Sequence, residues 1–224
     1  TQFGVGEDFD KYPRTLEADS KMLFDARCDI LFAPAVQQMY GDAPQHTTVQ
    51  VDAIADDLCG KSRPGHFTGV ATVVTKLFNI VQPNIAFFGE KDFQQLAVIR
   101  CLTSELAFPI NIVGVPTQRA EDGLALSSRN GYLSAQERAL APALYQVLTQ
   151  LRTAILNGQR EYTMLCEASV LHLQKMGFDP DYVSVRRSDN LQLANDSDND
   201  LVILVAAKLG KTRLIDNLAF SLRL

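Results

Sequence analysis

Tryptophan is absent from this chain, histidine occurs three times, and no two of its four cysteines have Cys-x-x-Cys spacing. The lack of that spacing argues against a paired metal-binding or redox role. Cys28, Cys59, Cys101 and Cys166, set in apolar or helical contexts, read as buried, reduced thiols of a cytoplasmic protein. A basic excess is also lacking: the formal net charge of −5 offers no field for nucleic acid. No window reaches the apolar length that crosses a bilayer, and there is neither a visible secretory signal nor an internal repeat. Three near-motifs fail. Asp196, Asp198 and Asp200 alternate as in a calcium loop, but Leu201 stands where the turn needs glycine and Ala207 where the bidentate glutamate belongs. Gly4-Val5-Gly6 lacks a preceding strand and a third glycine, and reads as a flexible loop. His172 falls inside a helical stretch without a partner motif and reads as a packed or solvated side chain, while His46 reads as a strand-edge residue.

What the chain does have is an apolar fraction of 46% over 224 residues, enough for one large or two small domains. Helical and extended patterns alternate, as in a parallel sheet covered on both faces. The sequence predicts a helix over Thr15 to Arg27, then strands over Asp29 to Phe32 and His46 to Val51. Val70, Val74, Leu77, Phe78 and Val81 recur at helical spacing up to Pro83. Ile85 to Phe88 reads as a buried strand. Asp92 opens a helix that presents Leu96, Ile99, Leu102 and Leu106 to the core, and Ile110 to Val115 is the next strand. Pro116 marks the expected domain boundary, dividing 1–115 from 116–224. In the second half Ser134 and Glu137 form a capping box ahead of a stripe from Leu140 to Ile155. A second helix spans Glu161 to Met176, and two strands flank Lys208-Leu209-Gly210-Lys211 as a hairpin.

The segment richest in chemistry is Ile85 to Gln95. An apolar strand runs into Gly89-Glu90-Lys91-Asp92 at the start of a helix, where unpaired amides carry partial positive charge. With Lys91 beside them they suit phosphate oxygens, Gly89 permits a close backbone approach, and Asp92 suits a magnesium ion. Alone, the motif also fits an ordinary strand-to-helix turn with an aspartate cap.

Ser62-Arg63-Pro64-Gly65-His66-Phe67, Phe88-Gly89-Glu90-Lys91-Asp92-Phe93-Gln94-Gln95-Leu96, Val113-Gly114-Val115-Pro116, Asp122-Gly123-Leu124-Ala125-Leu126-Ser127-Ser128-Arg129-Asn130 and Arg213-Leu214-Ile215-Asp216-Asn217 occur in one order. Together they resemble the pantothenate synthetase family from Gln2 to Asn217. The resemblance implies an α/β fold: the remainder of a Rossmann-like nucleotidyltransferase domain with a parallel sheet at 1–115, its N-terminal part missing, and a smaller α+β domain at 116–224. It implies a homodimeric, ATP- and Mg2+-dependent ligase that joins pantoate to β-alanine through a pantoyl-adenylate and releases AMP and pyrophosphate. Another adenylyl- or cytidylyltransferase of the same superfamily, or a non-catalytic nucleotide-binding or dimerisation module, is the alternative. The family's His-x-Gly-His turn would lie upstream of Thr1. The chain therefore reads as a piece of a longer protein, and its isolated span is expected to be nearly inactive.

Adenylation needs cations and hydroxyl donors around the α-phosphate, where charge grows in the transition state. Lys91, Ser127, Ser128 and Arg129 are the residues expected to act there. The resemblance puts the last three on a mobile loop hinged at Asp122-Gly123. Gly89, Glu90, Lys91, Asp92, Gln118, Leu126, Ser127, Ser128 and Arg129 are expected to bind ATP, Gln118 through its backbone, and Asp92 the metal. A carboxylate substrate is best met by neutral amides, and Gln2 and Gln95 match the family's pantoate-binding positions. Gln94 is expected to point elsewhere. Arg63 and His66 are expected to order the site, His66 with a helix-capping role as its alternative.

Overall fold

The computed structural model describes residues 2–4, 9–10, 12–43 and 45–223. Val5 and Gly6 of the glycine-containing loop lie outside the described residues. The first half carries α1 (Leu16–Asp25), α2 (Val36–Tyr40), α3 (Cys59–Ser62), α4 (His66–Val81), β1 (Ile85–Gly89), α5 (Phe93–Glu105) and β2 (Asn111–Val115). A short 3-10 turn, Glu90–Asp92, joins β1 to α5. β1 and β2 pair in parallel from Ile85↔Asn111 to Gly89↔Val115, with α5 as the crossover.

The second half carries α6 (Ala135–Leu140), α7 (Ala143–Leu156), α8 (Tyr162–Lys175), β3 (Phe178–Arg187), β4 (Asp200–Leu209) and β5 (Thr212–Ser221). The strands form an antiparallel sheet in the order β3-β4-β5.

The apolar spacing explains the best-packed pieces. Leu144, Val147, Leu148, Leu151 and Ile155 form one face of α7, and each is 0–3% exposed. They pack on Val183, Val185, Ile203 and Val205 of the sheet, and burying each such side chain is worth roughly 1.5–3 kcal/mol. Phe67, Val70, Ala71, Val74 and Phe78 of α4 meet Val98, Ile99 and Leu102 of α5. A third cluster, Leu58, Phe93, Leu191, Val202 and Leu204, joins the two halves. The capping box is present: Ser134 Oγ accepts from the Glu137 amide and Glu137 accepts from the Ser134 amide. The β4–β5 turn is the tight pair Gly210–Lys211, the second half of the expected hairpin loop, whose first half, Lys208 and Leu209, continues β4. Gly210 has φ +57°, and a Cβ there would overlap the Glu137 carboxylate, so the hairpin tip rests on the cap of α6.

Several expectations are corrected. Residues 29–32 and 46–51 form no strand. Among the described residues β1 and β2 pair only with each other, so these apolar runs have no ladder to join, and Ile30 is 81% exposed. The same two-stranded sheet leaves Ile85 49% and Phe87 66% exposed, while Ala86 and Phe88 face the core, so β1 is buried on one side only. Leu106 and Val81 sit at helix ends and are exposed. The stripe expected as one helix after Ser134 is split at Pro142, which removes an amide donor and separates α6 from α7. β3 was not expected. Pro180 argues against a strand, yet a register shift between Pro180 and Tyr182 accommodates it. Cys59 is buried as expected, whereas Cys28, on the surface after α1, is exposed.

Candidate active site

A cleft of about 1570 Å3 opens between the two halves, larger than the roughly 300–1,000 Å3 of an ordinary ligand pocket. Its wall gathers three separated stretches: Lys91, Asp92 and Gln95 from the turn and first residues of α5; Leu126, Ser127, Ser128 and Arg129 from the loop before α6; and Thr212–Asn217 from β5. Arg63, Lys91, Arg129, Lys208, Lys211 and Arg213 face it, against Asp10, Asp92, Glu137 and Asp216. In a chain of net charge −5, the cleft thus concentrates positive charge, as an anionic ligand requires.

The turn after β1 puts Lys91 at the cleft with no hydrogen bond or ion pair from its ammonium among the described residues. Asp92 is exposed and makes no side-chain cap to α5. Its carboxylate is therefore not spent on the helix end, in contrast to the cap reading. Gly89 has φ −67° and ψ 131°, an ordinary extended conformation. The place of its missing Cβ is open space, so the glycine is not demanded by the backbone. Glu90 lies outside the cleft wall, its carboxylate occupying the space beside Gly114. Gln95 faces the cleft. Gln94 also reaches the cleft wall but is buried, and its side chain is taken up within the protein: its oxygen accepts from the Cys59 amide at 3.0 Å and its nitrogen donates to the Ile54 and Asp57 carbonyls at 2.7 Å.

Ser127 opens a 3-10 turn, Ser128–Tyr132, and its hydroxyl accepts from the Arg129 amide at 3.3 Å. Ser128 donates to the Tyr12 hydroxyl at 3.2 Å, and the Arg129 guanidinium lies 5.4 Å from the centre of the Tyr12 ring. The loop is carried by a narrow hairpin in which Gln118 accepts from the Leu126 amide at 2.9 Å and Arg119 bridges to Ala125. The Gln118 side chain is exposed and outside the cleft wall. Asp122, at the tip of this hairpin, pairs with Arg138 at 2.6 Å, and that guanidinium holds its carboxyl below the ordinary range.

His66 is the first residue of α4 and does not cap it; the N-cap is Gly65, with no side-chain bond. The Arg63 guanidinium lies 2.9 Å from His66 Nε2, and the Gln2 carbonyl oxygen 2.7 Å from Nδ1. Because guanidinium is only a donor and the carbonyl only an acceptor, Nε2 must accept and Nδ1–H must donate. His66 thus ties the backbone of Gln2 to the rim of the cleft. Gln2 itself is half-buried and lies outside the wall, where Gly4 and His66 contribute.

Sequence reasoning missed the other contributors. Tyr12, Cys59, Tyr182 and Arg213 line the cleft, as do Asp216 and Asn217, which the family-like run Arg213 to Asn217 contained without assigning a task. Arg119 forms a two-bonded ion pair with Asp216, at 2.6 and 2.9 Å, and its guanidinium stacks 3.8 Å from the Tyr145 ring centre. Among the described residues no cluster of three acidic, histidine or cysteine side chains has the arrangement of a metal site.

The family model for pantoate-β-alanine ligase matches residues 1–219. The chain belongs to the pantoate-β-alanine ligase family. Members of that family resemble it closely in sequence. It is 59% identical to the pantothenate synthetase of Acinetobacter baumannii strain ATCC 17978 over 97% of this chain and 77% of the relative. It is 57% identical to that of Pseudomonas fluorescens Pf-5 over 99% of this chain and 78% of the relative. The crystal structure of pantothenate synthetase from Thermus thermophilus superposes with a TM-score of 0.92 at 45% identity, covering 97% of this chain and 79% of that one. The Francisella tularensis ligase, solved with beta-gamma ATP and beta-alanine, superposes with a TM-score of 0.79 at 33% identity, covering 99% of this chain and 76% of that one. The fold of this family member is accordingly α/β, with a nucleotidyltransferase-like parallel-sheet part and a small antiparallel-sheet part. No helix among the described residues is long and apolar enough to cross a membrane.

Proposed function

We propose that this chain carries the ATP-dependent condensation of pantoate with β-alanine to pantothenate, through a pantoyl-adenylate, with release of pyrophosphate and AMP. The observation that carries the reading is the convergence of Lys91, Asp92 and Gln95 with Ser127, Ser128 and Arg129 on one positively charged cleft, though the two groups are some thirty residues apart in sequence. Family membership supplies the choice of acid and amine.

In this reading the pantoate carboxylate attacks the α-phosphorus of ATP, and pyrophosphate leaves. In the transition state of that displacement, negative charge grows on the equatorial and leaving oxygens. Lys91 and Arg129 stabilise that charge, and the Ser127 and Ser128 hydroxyls turn from Arg129 and Tyr12 to donate to it. Gln95 from the cleft wall, and Gln2 from just outside it, hold pantoate with neutral amides, which add no repulsion to its carboxylate. The amino group of β-alanine then attacks the acyl carbon, AMP leaves, and an amide bond replaces the mixed anhydride. Leu126 from the cleft wall, and the backbones of Gly89, Glu90 and Gln118 from its margins, serve the nucleotide. The unpaired, exposed Asp92 carboxylate fits a magnesium ion that takes its remaining ligands from phosphate and water, and such an ion would offset polyphosphate charge. We place the domain division at Pro116, and the working protein in the cytoplasm as a homodimer.

The deciding experiment is isotope exchange in the protein expressed with whatever residues its gene encodes before Thr1. Pantoate-dependent exchange of pyrophosphate into ATP without β-alanine, with AMP formed when β-alanine is added, is expected. Exchange that strictly requires β-alanine, or ADP as product, would overturn the adenylate. Exchange supported by a different acid would assign another substrate.

A further inference from the structure

β5 ends its buried stretch on Asp216 and Asn217, which are 4% and 6% exposed. The two side chains grip different parts of the cleft. Asn217 Nδ2 donates to the carbonyl of Glu90 at 2.8 Å and to that of Lys91 at 2.9 Å, so both amide hydrogens are used on consecutive carbonyls of the 3-10 turn. Asp216 receives both arms of Arg119 and also accepts from the Asn217 amide at 2.8 Å. Arg119 in turn donates to the carbonyls of Gly123 at 3.1 Å and Asn217 at 3.3 Å. One dipeptide of β5 is therefore hydrogen-bonded to the turn that carries Lys91 and to the hairpin that carries Ser127–Arg129.

The chemistry at Asn217 is specific. Two peptide oxygens side by side at an anion site repel phosphate unless each is occupied by a donor, and only a primary amide supplies two donors from one nitrogen without adding charge. The peptides of the turn are trans, so oxygens drawn toward β5 leave the amides of Lys91 and Asp92 pointing the opposite way. Holding the two carbonyls fixes the direction of both amides together with the base of the Lys91 side chain.

We propose that Asn217 is a positioning residue for the phosphate-holding turn, and that the Asp216–Arg119 pair sets the hairpin of the Ser127–Arg129 loop in register with that turn. The role is exerted on the polyphosphate and not on the carboxylate acid or the amine. It rests on the adenylating function proposed above and deepens it.

The test uses Asn217→Ala and Asn217→Asp in the protein with its gene-encoded N-terminus. For Asn217→Ala we expect the KM for ATP to rise about tenfold, the equivalent of about 1.4 kcal/mol or one net hydrogen bond, with a fall in kcat and with the KM values for pantoate and β-alanine within about twofold. A merely structural residue would lower the active fraction and leave every KM unchanged, and that result would overturn the inference. Asn217→Asp separates the electrostatic part. Its carboxylate faces two carbonyl oxygens, whereas its protonated acid donates one hydrogen bond. The ratio of variant to wild-type kcat/KM for ATP should therefore rise as pH falls from 8 to 5.5. Asn217→Ala, which keeps the same Asp216, Arg119, Glu90 and Lys91 neighbours and so reports any titration of theirs, should show a flat ratio. A flat ratio for Asn217→Asp would overturn the proposal. Direct calorimetric titration with ATP keeps the two readings apart. Wild-type protein that binds ATP but makes no pantothenate would defeat the ligase, and a tenfold weaker Asn217→Ala would still uphold the positioning role. Should Asn217→Ala fail to fold, Arg119→Lys, which keeps the charge and loses the fork, should raise the KM for ATP and spare that for pantoate. An unchanged ATP dependence there would overturn the coupling.

Discussion

The Tyr182 hydroxyl lies 3.0 Å from the Cys59 sulfur, joining β3 to α3 across 123 residues of chain. Arg213 directs two nitrogens at the same sulfur, at 3.5 and 3.7 Å, and holds Asp181 at 2.6 Å. Burial, and then the nearby thiol, push the Tyr182 hydroxyl well above its ordinary range, so it stays a neutral hydrogen-bonding group. Tyr182→Phe should cost about 1 kcal/mol, the net worth of one hydrogen bond, and lower Tm by about 2–4 °C in a protein of this size. Cys59→Ala should cost less in the Tyr182→Phe background than in the wild type. Strict additivity in this double-mutant cycle would show that the two groups do not interact.

Lys91→Ala should reduce turnover by about two to three orders of magnitude, the range for losing one donor aimed at transition-state charge, with a much smaller change in the Kd for ATP. Loss of affinity with turnover retained at saturation would reduce Lys91 to a binding contact.

Asp122 gives a pH test of the loop hairpin. Arg138 lowers its carboxyl below the ordinary 3.8. A depressed carboxyl contributes stability that is present above 3.8 and is lost as pH falls through the lower folded value. Wild-type protein should thus have a higher Tm than Asp122→Asn near pH 6, and the gap should narrow on acidification below about pH 4. A gap that widens with acid would reverse the sign and exclude the ion pair as its source.

The cysteines should separate by reactivity. Cys28 is exposed, whereas burial pushes the Cys166 thiol up to about 11. Since the thiolate is the nucleophile, iodoacetamide at pH 8 should label Cys28 first and Cys166 only after unfolding, read by peptide mass spectrometry. Early labelling of Cys166 would show that the α8–sheet packing opens readily.

The local patterns were legible because one element satisfied them. α4, α7 and α8 follow a 3.6-residue spacing, the Ser134–Glu137 box lies within a single turn, and the β4–β5 hairpin closes on two residues. The loop residues and Lys91 were recognised by motif, and the structure places them on one cleft. What sequence could not show depends on partners far along the chain. The alternation at 46–51 becomes a strand only beside another strand, and Pro180 sits in β3 only because the ladder shifts around it. Asn217 lies 127 residues from Glu90, and no local period records that they meet. His66 carried a capping signal but spends both ring nitrogens on Arg63 and Gln2.

The hairpin tip at Gly210 has a practical consequence for anyone wishing to alter this molecule. Exposed two-residue turns are usual sites for peptide tags, grafted epitopes and circular permutation, because they tolerate added length. This one is closed to such use. Any L-residue at 210 meets both an unfavourable backbone angle and the Glu137 carboxylate, and displacing that carboxylate uncaps α6 immediately after the Ser127–Arg129 loop. In the turn between α7 and α8, Gly158 also has a left-handed backbone, φ +95°, but nothing lies around it, so a reporter inserted beside that glycine, with the glycine kept, displaces no cap.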